Sequence, residues 1–103
     1  MLAAVPEVQS LIRSLLEQAG VPPSHALLQC ENFLEAELRG HPSHGLQRLP
    51  RLLSRIERGL ADPEARGRQI WSGSAFLSVD GERGLGPVVG LAAVETMLSR
   101  INE

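Results

Sequence analysis

Apolar residues recur along the first part of the chain at steps of three and four. Val5, Val8, Leu11, Ile12, Leu15 and Leu16 keep that rhythm, and Gly20 stands where a helix end favours a residue free to turn left-handed. The spacing predicts a first amphipathic helix. Pro22 and Pro23 then restart the chain. Proline is tolerated in a first helical turn, where its missing N–H had no partner anyway, so a second helix is predicted from Pro23 through Leu27, Cys30, Phe33, Leu34 and Leu38 to Gly40. In a third helix Leu49, Leu52, Leu53, Ile56 and Leu60 share one face, with Pro50 in the first turn and Gly59 near the end. After Asp62-Pro63 the period changes. Residues 69–71 and 75–79 are short runs, the second rich in strand formers, and Ser72-Gly73-Ser74 between them predicts a β-hairpin. The turn Asp80-Gly81-Glu82-Arg83-Gly84 leads into a last helix carrying Val88, Leu91, Val94, Leu98 and Ile101, which runs to Glu103 without a capping signal.

This order predicts a mainly α protein with a short β-hairpin, an α+β chain in two segments. Residues 1–62 form a helical segment of three helices, and residues 63–103 hold the hairpin and the last helix. Two short strands make a poor sheet by themselves, and so apolar a helix needs a partner surface. The second segment therefore reads as the beginning of a larger domain that is absent here.

Composition narrows the class. With 43% hydrophobic and 21% charged residues in 103, the chain is globular rather than disordered, and long enough for one core. A formal charge of -2 gives no global pull toward polyanions, but the charge is unevenly spread. Up to Gly40, Arg13 and Arg39 stand against Glu7, Glu17, Glu31, Glu35 and Glu37. From His41 to Arg68, Arg48, Arg51, Arg55, Arg58, Arg66 and Arg68 stand against Glu57, Asp62 and Glu64, so the middle is locally basic. No lysine occurs, which excludes a P-loop lysine and a Schiff-base lysine; anions must be met by Arg, His or backbone N–H groups. The single cysteine, Cys30, cannot close an intrachain disulfide and falls in with a helical apolar pattern, which points to a buried thiol and a reducing compartment. Residues 1–10 lack a signal-peptide pattern and no run reaches the ~18 apolar residues of a membrane span, so a cytoplasmic protein without membrane contact is expected.

The candidate chemistry lies between Gly40 and the third helix. Ser43, His44 and Arg48 put a hydroxyl, an imidazole and a guanidinium at a loop-to-helix junction. If the chain turns helical from His44, then His44 and Arg48 are four apart and share a side. Arg48 can grip a carboxylate with a planar fork, and His44 can exchange a proton with a neighbouring oxygen near neutral pH. A small 2-hydroxy or 2-keto acid carries just those two groups. The same residues also read as a capping Ser43, a surface His44 and an Arg48 paired with an acid, and spacing alone does not separate the two.

Other patterns lead less far. Arg48, Arg51, Arg55 and Arg58 form a stripe opposite the leucines, but no aromatic is interleaved with it, so it reads as a solvated face or a subunit contact rather than a nucleic-acid surface. The run Gly84-Leu85-Gly86-Pro87-Val88-Val89-Gly90 misses the dinucleotide fingerprint because Val89 takes the place of the third glycine, and it reads as a tight turn at a helix start. His41 and His44 have no second ligand cluster nearby, so no metal site is expected. His25 reads as a solvated residue.

The stretch from Leu38 to Pro50, Leu-Arg-Gly-His-Pro-Ser-His-Gly-Leu-Gln-Arg-Leu-Pro, continued by Arg58-Gly59-Leu60-Ala61-Asp62-Pro63, resembles the N-terminal signature of the type-2 malate/L-lactate dehydrogenase family. Val79-Asp80-Gly81 with Gly84-Leu85-Gly86-Pro87 resembles the family's next landmark, so the likeness covers nearly the whole chain. It implies an oxidoreductase fold that is not a Rossmann fold, with NAD or NADP as cofactor, small 2-keto or 2-hydroxy acids as substrates, and a homodimer. By the same likeness His44 is catalytic and faces the substrate with Arg48, and Ser43 supports or contacts it. Family members often carry a tyrosine two residues after the proline, where this chain has Leu52. The resemblance further implies that the principal catalytic histidine and the cofactor domain lie beyond Glu103. The other function to weigh is a truncated, non-catalytic helical interaction module or gene remnant.

Overall fold

The computed structural model describes residues 5–101. Helix α1 spans Val5–Gln18 and α2 spans Pro23–Leu38. They pack side by side as an αα-hairpin. Gly20, at φ +99°, makes the turn, and the Val21 N–H returns to the Leu16 carbonyl at 3.1 Å. The C-terminus of α2 closes in the same manner: Gly40 takes φ +80° and the His41 N–H reaches the Ala36 carbonyl at 2.9 Å. The core sits here. Ile12 and Leu16 of α1 meet Val21, Ala26, Cys30 and Phe33, and Leu85 and Val88 close the cluster from the other end of the chain.

Two short 3₁₀ turns, Pro42–His44 and Leu46–Arg48, lead into α3, Leu49–Glu57. Pro50 occupies its first turn as the sequence requires. The α3 leucines and Ile56 are only half-buried, packed on the rim of the core rather than in it. Leu60 is exposed, so the predicted apolar face ends a turn early.

Strands β1 (Arg68–Ser72) and β2 (Phe76–Asp80) pair antiparallel with Arg68 opposite Asp80 and Ser72 opposite Phe76, as the change of period predicted. Helix α4 spans Gly86–Ile101; the two residues after it lie outside the described residues, and with them the predicted run to Glu103. Its inner face is Val88 and Ala92, whereas Leu91, Val94, Leu98 and Ile101, which the sequence pattern grouped with Val88, are exposed. The helix turns its narrower, smaller-residue side to α2.

Val89 anchors the hairpin to α4. A Cβ at Gly67 would meet Val89 Cγ1 at 3.2 Å and the Asp80 carbonyl at 3.0 Å, and one at Gly84 would meet the Ala65 carbonyl at 2.6 Å and Val89 Cγ2 at 2.9 Å. Those glycines let two backbones close around one side chain.

His25 is the clearest departure from the sequence reading. It is buried rather than solvated, and its Nδ1 lies 3.0 Å from the Pro63 carbonyl. A carbonyl only accepts, so that nitrogen carries the proton. The bond ties the first turn of α2 to the segment that follows α3.

Candidate functional site

The loop bearing Ser43 and His44 is fixed against α2 by a glycine and a carboxylate. Gly45 is buried, and a Cβ there would run into the Glu37 carboxylate and come within 3.2 Å of the Glu37 backbone nitrogen. Glu37 Oε2 in turn accepts the Leu46 N–H at 3.3 Å. A chain that must lie this close to a helix needs glycine, and the carboxylate satisfies a donor that the broken turn leaves free. The sequence reading missed Glu37, because its partner is nine positions away across a loop and no periodicity connects them.

The α-helix begins at Leu49, not at His44. The backbone breaks at Gly45 (φ -101°, ψ -136°) between the two 3₁₀ turns. His44 and Arg48 are nonetheless brought together: both line one cleft of about 450 Å³. Helix α2 supplies Gln29, Asn32, Phe33 and Ala36 to it, α3 supplies Arg51, Leu52 and Arg55, and the start of α4 supplies Gly86 and Pro87. Ser43 is not in the lining. Its Oγ lies 3.0 Å from His44 Nδ1, where it can fix the ring's orientation and tautomer from behind.

The cleft is one-sided in charge. Three guanidinium groups and an imidazole face it, and no lining residue is acidic. Among the described residues, the ion pairs are Arg39 with Glu35, Arg66 with Glu95 and Arg68 with Asp80, so none of the cleft arginines is paired with a carboxylate. The reading of Arg48 as one half of a surface ion pair has no support in this geometry. Arg51 and Arg55, taken from the sequence as a solvated stripe, share the cleft with it, while Arg58 does not. Because α3 starts at Leu49, positions 48, 51 and 55 fall at helical spacing along one side.

The turn before α4 aims that helix's amino end at the cleft. Glu82 and Arg83 both take left-handed φ, +52° and +62°, a conformation that costs non-glycine residues of order 1 kcal/mol or more each. Local bonds hold them there. The Asp62 N–H donates to the Arg83 carbonyl at 2.7 Å, Arg83 Nη1 donates to the Gly59 carbonyl at 3.1 Å, and the Glu82 N–H is capped by Asp80 Oδ1 at 3.0 Å. Gly86 and Pro87 thereby reach the cleft with the positive end of a 16-residue helix behind them.

In the glycine run at the start of α4, Gly86 and Gly90 stand open while Gly84 is closed. Gly84 is filled in by the Ala65 carbonyl and Val89, which leaves no room beside it for a pyrophosphate. Among the described residues no group of three or more His, Cys, Asp or Glu side chains is placed to hold a metal ion, and no helix is long and apolar enough to cross a membrane.

The same arrangement of a helical hairpin and a β-hairpin-plus-helix unit occurs in solved dehydrogenases. A dehydrogenase from Sinorhizobium meliloti superposes with a TM-score of 0.96 at 52% identity, covering 100% of this chain and 32% of that one. The chain belongs to the malate/L-lactate dehydrogenase family, whose model matches residues 3–103. Malate dehydrogenase from Pyrococcus horikoshii is 34% identical over 94 residues, 91% of this chain and 26% of the relative. An NADP(+)-named (2R)-3-sulfolactate dehydrogenase from Chromohalobacter salexigens is 35% identical over 79 residues, 77% of this chain and 23% of the relative. The chain thus spans about a quarter of the length of these curated relatives, their N-terminal portion.

Proposed function

We propose that this chain is the substrate-recognition part of an NAD(P)-dependent oxidoreductase acting on small 2-hydroxy and 2-keto acids. Arg48 grips the C1 carboxylate with its planar fork, and His44 hydrogen-bonds the C2 oxygen as donor or acceptor while Ser43 holds the ring. The observation that carries the reading is the unpaired Arg48 beside His44 in a cleft without acidic residues. Family membership supports it from a second side, and its relatives include a malate dehydrogenase and a sulfolactate dehydrogenase. The rest of the reading goes with the family: a nicotinamide held by polypeptide other than these residues, a homodimer, and a cytoplasmic setting. The division into a helical segment over 1–62 and the beginning of a larger domain over 63–103 belongs to the same proposal. Its support is the exposed apolar face of α4, where further polypeptide of the fold has a surface to cover.

The test is binding. Titrating the chain with a 2-hydroxy acid should shift the amide resonances of residues 43–48 saturably, and Arg48→Lys should weaken binding by about tenfold because a point charge replaces a fork. Equal affinity in the Lys variant would remove the carboxylate role.

A further inference from the structure

Arg48 accounts for one acidic group of a ligand, yet the cleft contains three guanidinium groups. Arg51 and Arg55 lie a turn apart on α3, and neither has a carboxylate partner among the described residues. Like charges at i, i+4 on a helix repel, and the amino end of α4 adds positive potential to the same space. An arrangement that gathers cations without internal compensation is relieved by an anion, and one monocarboxylate held at Arg48 leaves the other two facing each other. Leu52, which lines the cleft among the arginines, has no polar atom to share the task.

We infer that Arg51 and Arg55 bind a second acidic group of the substrate, so that this cleft selects 2-hydroxy acids with two acidic groups over those with one. The inference rests on the substrate site proposed above and assigns these two residues the selection within it. Arg48 holds the carboxylate next to the reacting carbon. Arg51 follows about one helical turn and Arg55 about two turns further along the same side, on long side chains that can close over the far end of a short carbon chain. A carboxylate or a sulfonate satisfies them alike, since each offers two or more oxygens to a planar donor.

The measurement compares L-malate with L-lactate, which differ by the second carboxylate, in amide-resonance titrations of the chain at constant ionic strength. Malate should bind about tenfold tighter than lactate, the gain of one well-made charge-assisted contact. Arg51→Gln and Arg55→Gln should each pull the malate constant toward the lactate value while leaving lactate within about twofold. Arg58→Gln removes the same charge from the end of α3 outside the cleft and should change neither ratio. All these side chains are exposed, so the variants keep the fold, which a thermal melt of each verifies. Equal weakening of both acids in the Arg51 and Arg55 variants, an unchanged ratio, or an equal effect from Arg58→Gln would overturn the inference while leaving the site in place. If neither acid moves the resonances of residues 43–48, the underlying site reading fails, and the selection by Arg51 and Arg55 fails with it.

Discussion

Gly45 shapes the site without lining the cleft, because it sets how close the His44 loop lies to α2. A methyl group there meets the Glu37 carboxylate and main chain. The carboxylate can swing away but the backbone cannot, so Gly45→Ala pushes the loop outward and strips the Leu46 N–H of its acceptor. The expected cost is about 1–3 kcal/mol, read as a lowered midpoint in urea. Glu37→Gln keeps an acceptor oxygen and should cost well under half as much. A Gly45→Ala variant with unchanged stability would mean that the loop does not need its close approach. The same scale explains what could be read from the sequence at the site. Ser43, His44 and Arg48 were singled out because their functional groups suit one small ligand whatever the exact backbone, and the structure brings His44 and Arg48 to one cleft. Glu37 was not, since its role exists only once the chain has folded back. His25 likewise presents a polar residue at a helix start, and only the long-range carbonyl of Pro63 turns it into a buried tie.

At the scale of elements, periodicity located every helix and the hairpin because each buries a face with the period of its own backbone. Where the reading erred, a second element decided. Helix α4 carries apolar residues on more than one side, and the pattern could not say which side meets α2; the answer, Val88 and Ala92, depends on how small residues let two helices approach. The start of α3 slipped for a related reason, since Gly45 breaks a pattern that would otherwise continue helical from His44. The packing of α1 on α2 has a consequence in pH. Cys30 is wholly buried between them with its Sγ 3.6 Å from the Gln9 carbonyl, and burial pushes its thiol above its ordinary range, an effect that Arg13 partly opposes. Well below the ordinary thiol range the thiol is neutral in both folded and unfolded chains and contributes no pH dependence. As pH rises through that range the unfolded chain ionises first, so its stability gains on the folded state and the fold weakens. Denaturant midpoints should therefore fall between pH 8.5 and pH 10 in the natural chain (roughly the window around the unperturbed thiol) by more than in Cys30→Ala. Parallel curves for the two proteins would show that the buried thiol carries none of the alkaline loss.

The whole molecule is more open than its length requires. Its radius of gyration is 15.3 Å, against about 13 Å for a compact domain of 100 residues, and its extents of 53 × 30 × 23 Å describe a long body rather than a ball. The surplus surface is apolar and concentrated: Leu91, Val94, Met97, Leu98 and Ile101 on α4, with Ile70, Phe76 and Val79 on the hairpin, are all at least 40% exposed. Residues that bury little within the chain contribute little to its stability, whatever their hydrophobicity. Leu98→Glu should thus change the unfolding free energy of the isolated chain by no more than about 0.5 kcal/mol. Val88→Ala, which empties space beside Leu85 and Cys30, should cost about 1–3 kcal/mol.

Catalysis divides the same way. On the proposal above, the described residues bring together groups for the acid and the nicotinamide is held by other polypeptide; of the glycine run at the start of α4, Gly84 is closed by Val89 and the Ala65 carbonyl. Holding one reactant without the other provides none of the proximity that a two-substrate transfer needs. The purified chain should accordingly leave NADH and NADPH unoxidised, above the rate in buffer, when mixed with oxaloacetate or pyruvate and followed by absorbance. The acid should still bind, because the cleft proposed for it is lined by α2, the two 3₁₀ turns, α3 and the start of α4. Measurable oxidation that disappears in Arg48→Gln would reverse this conclusion and place a nicotinamide site within these residues.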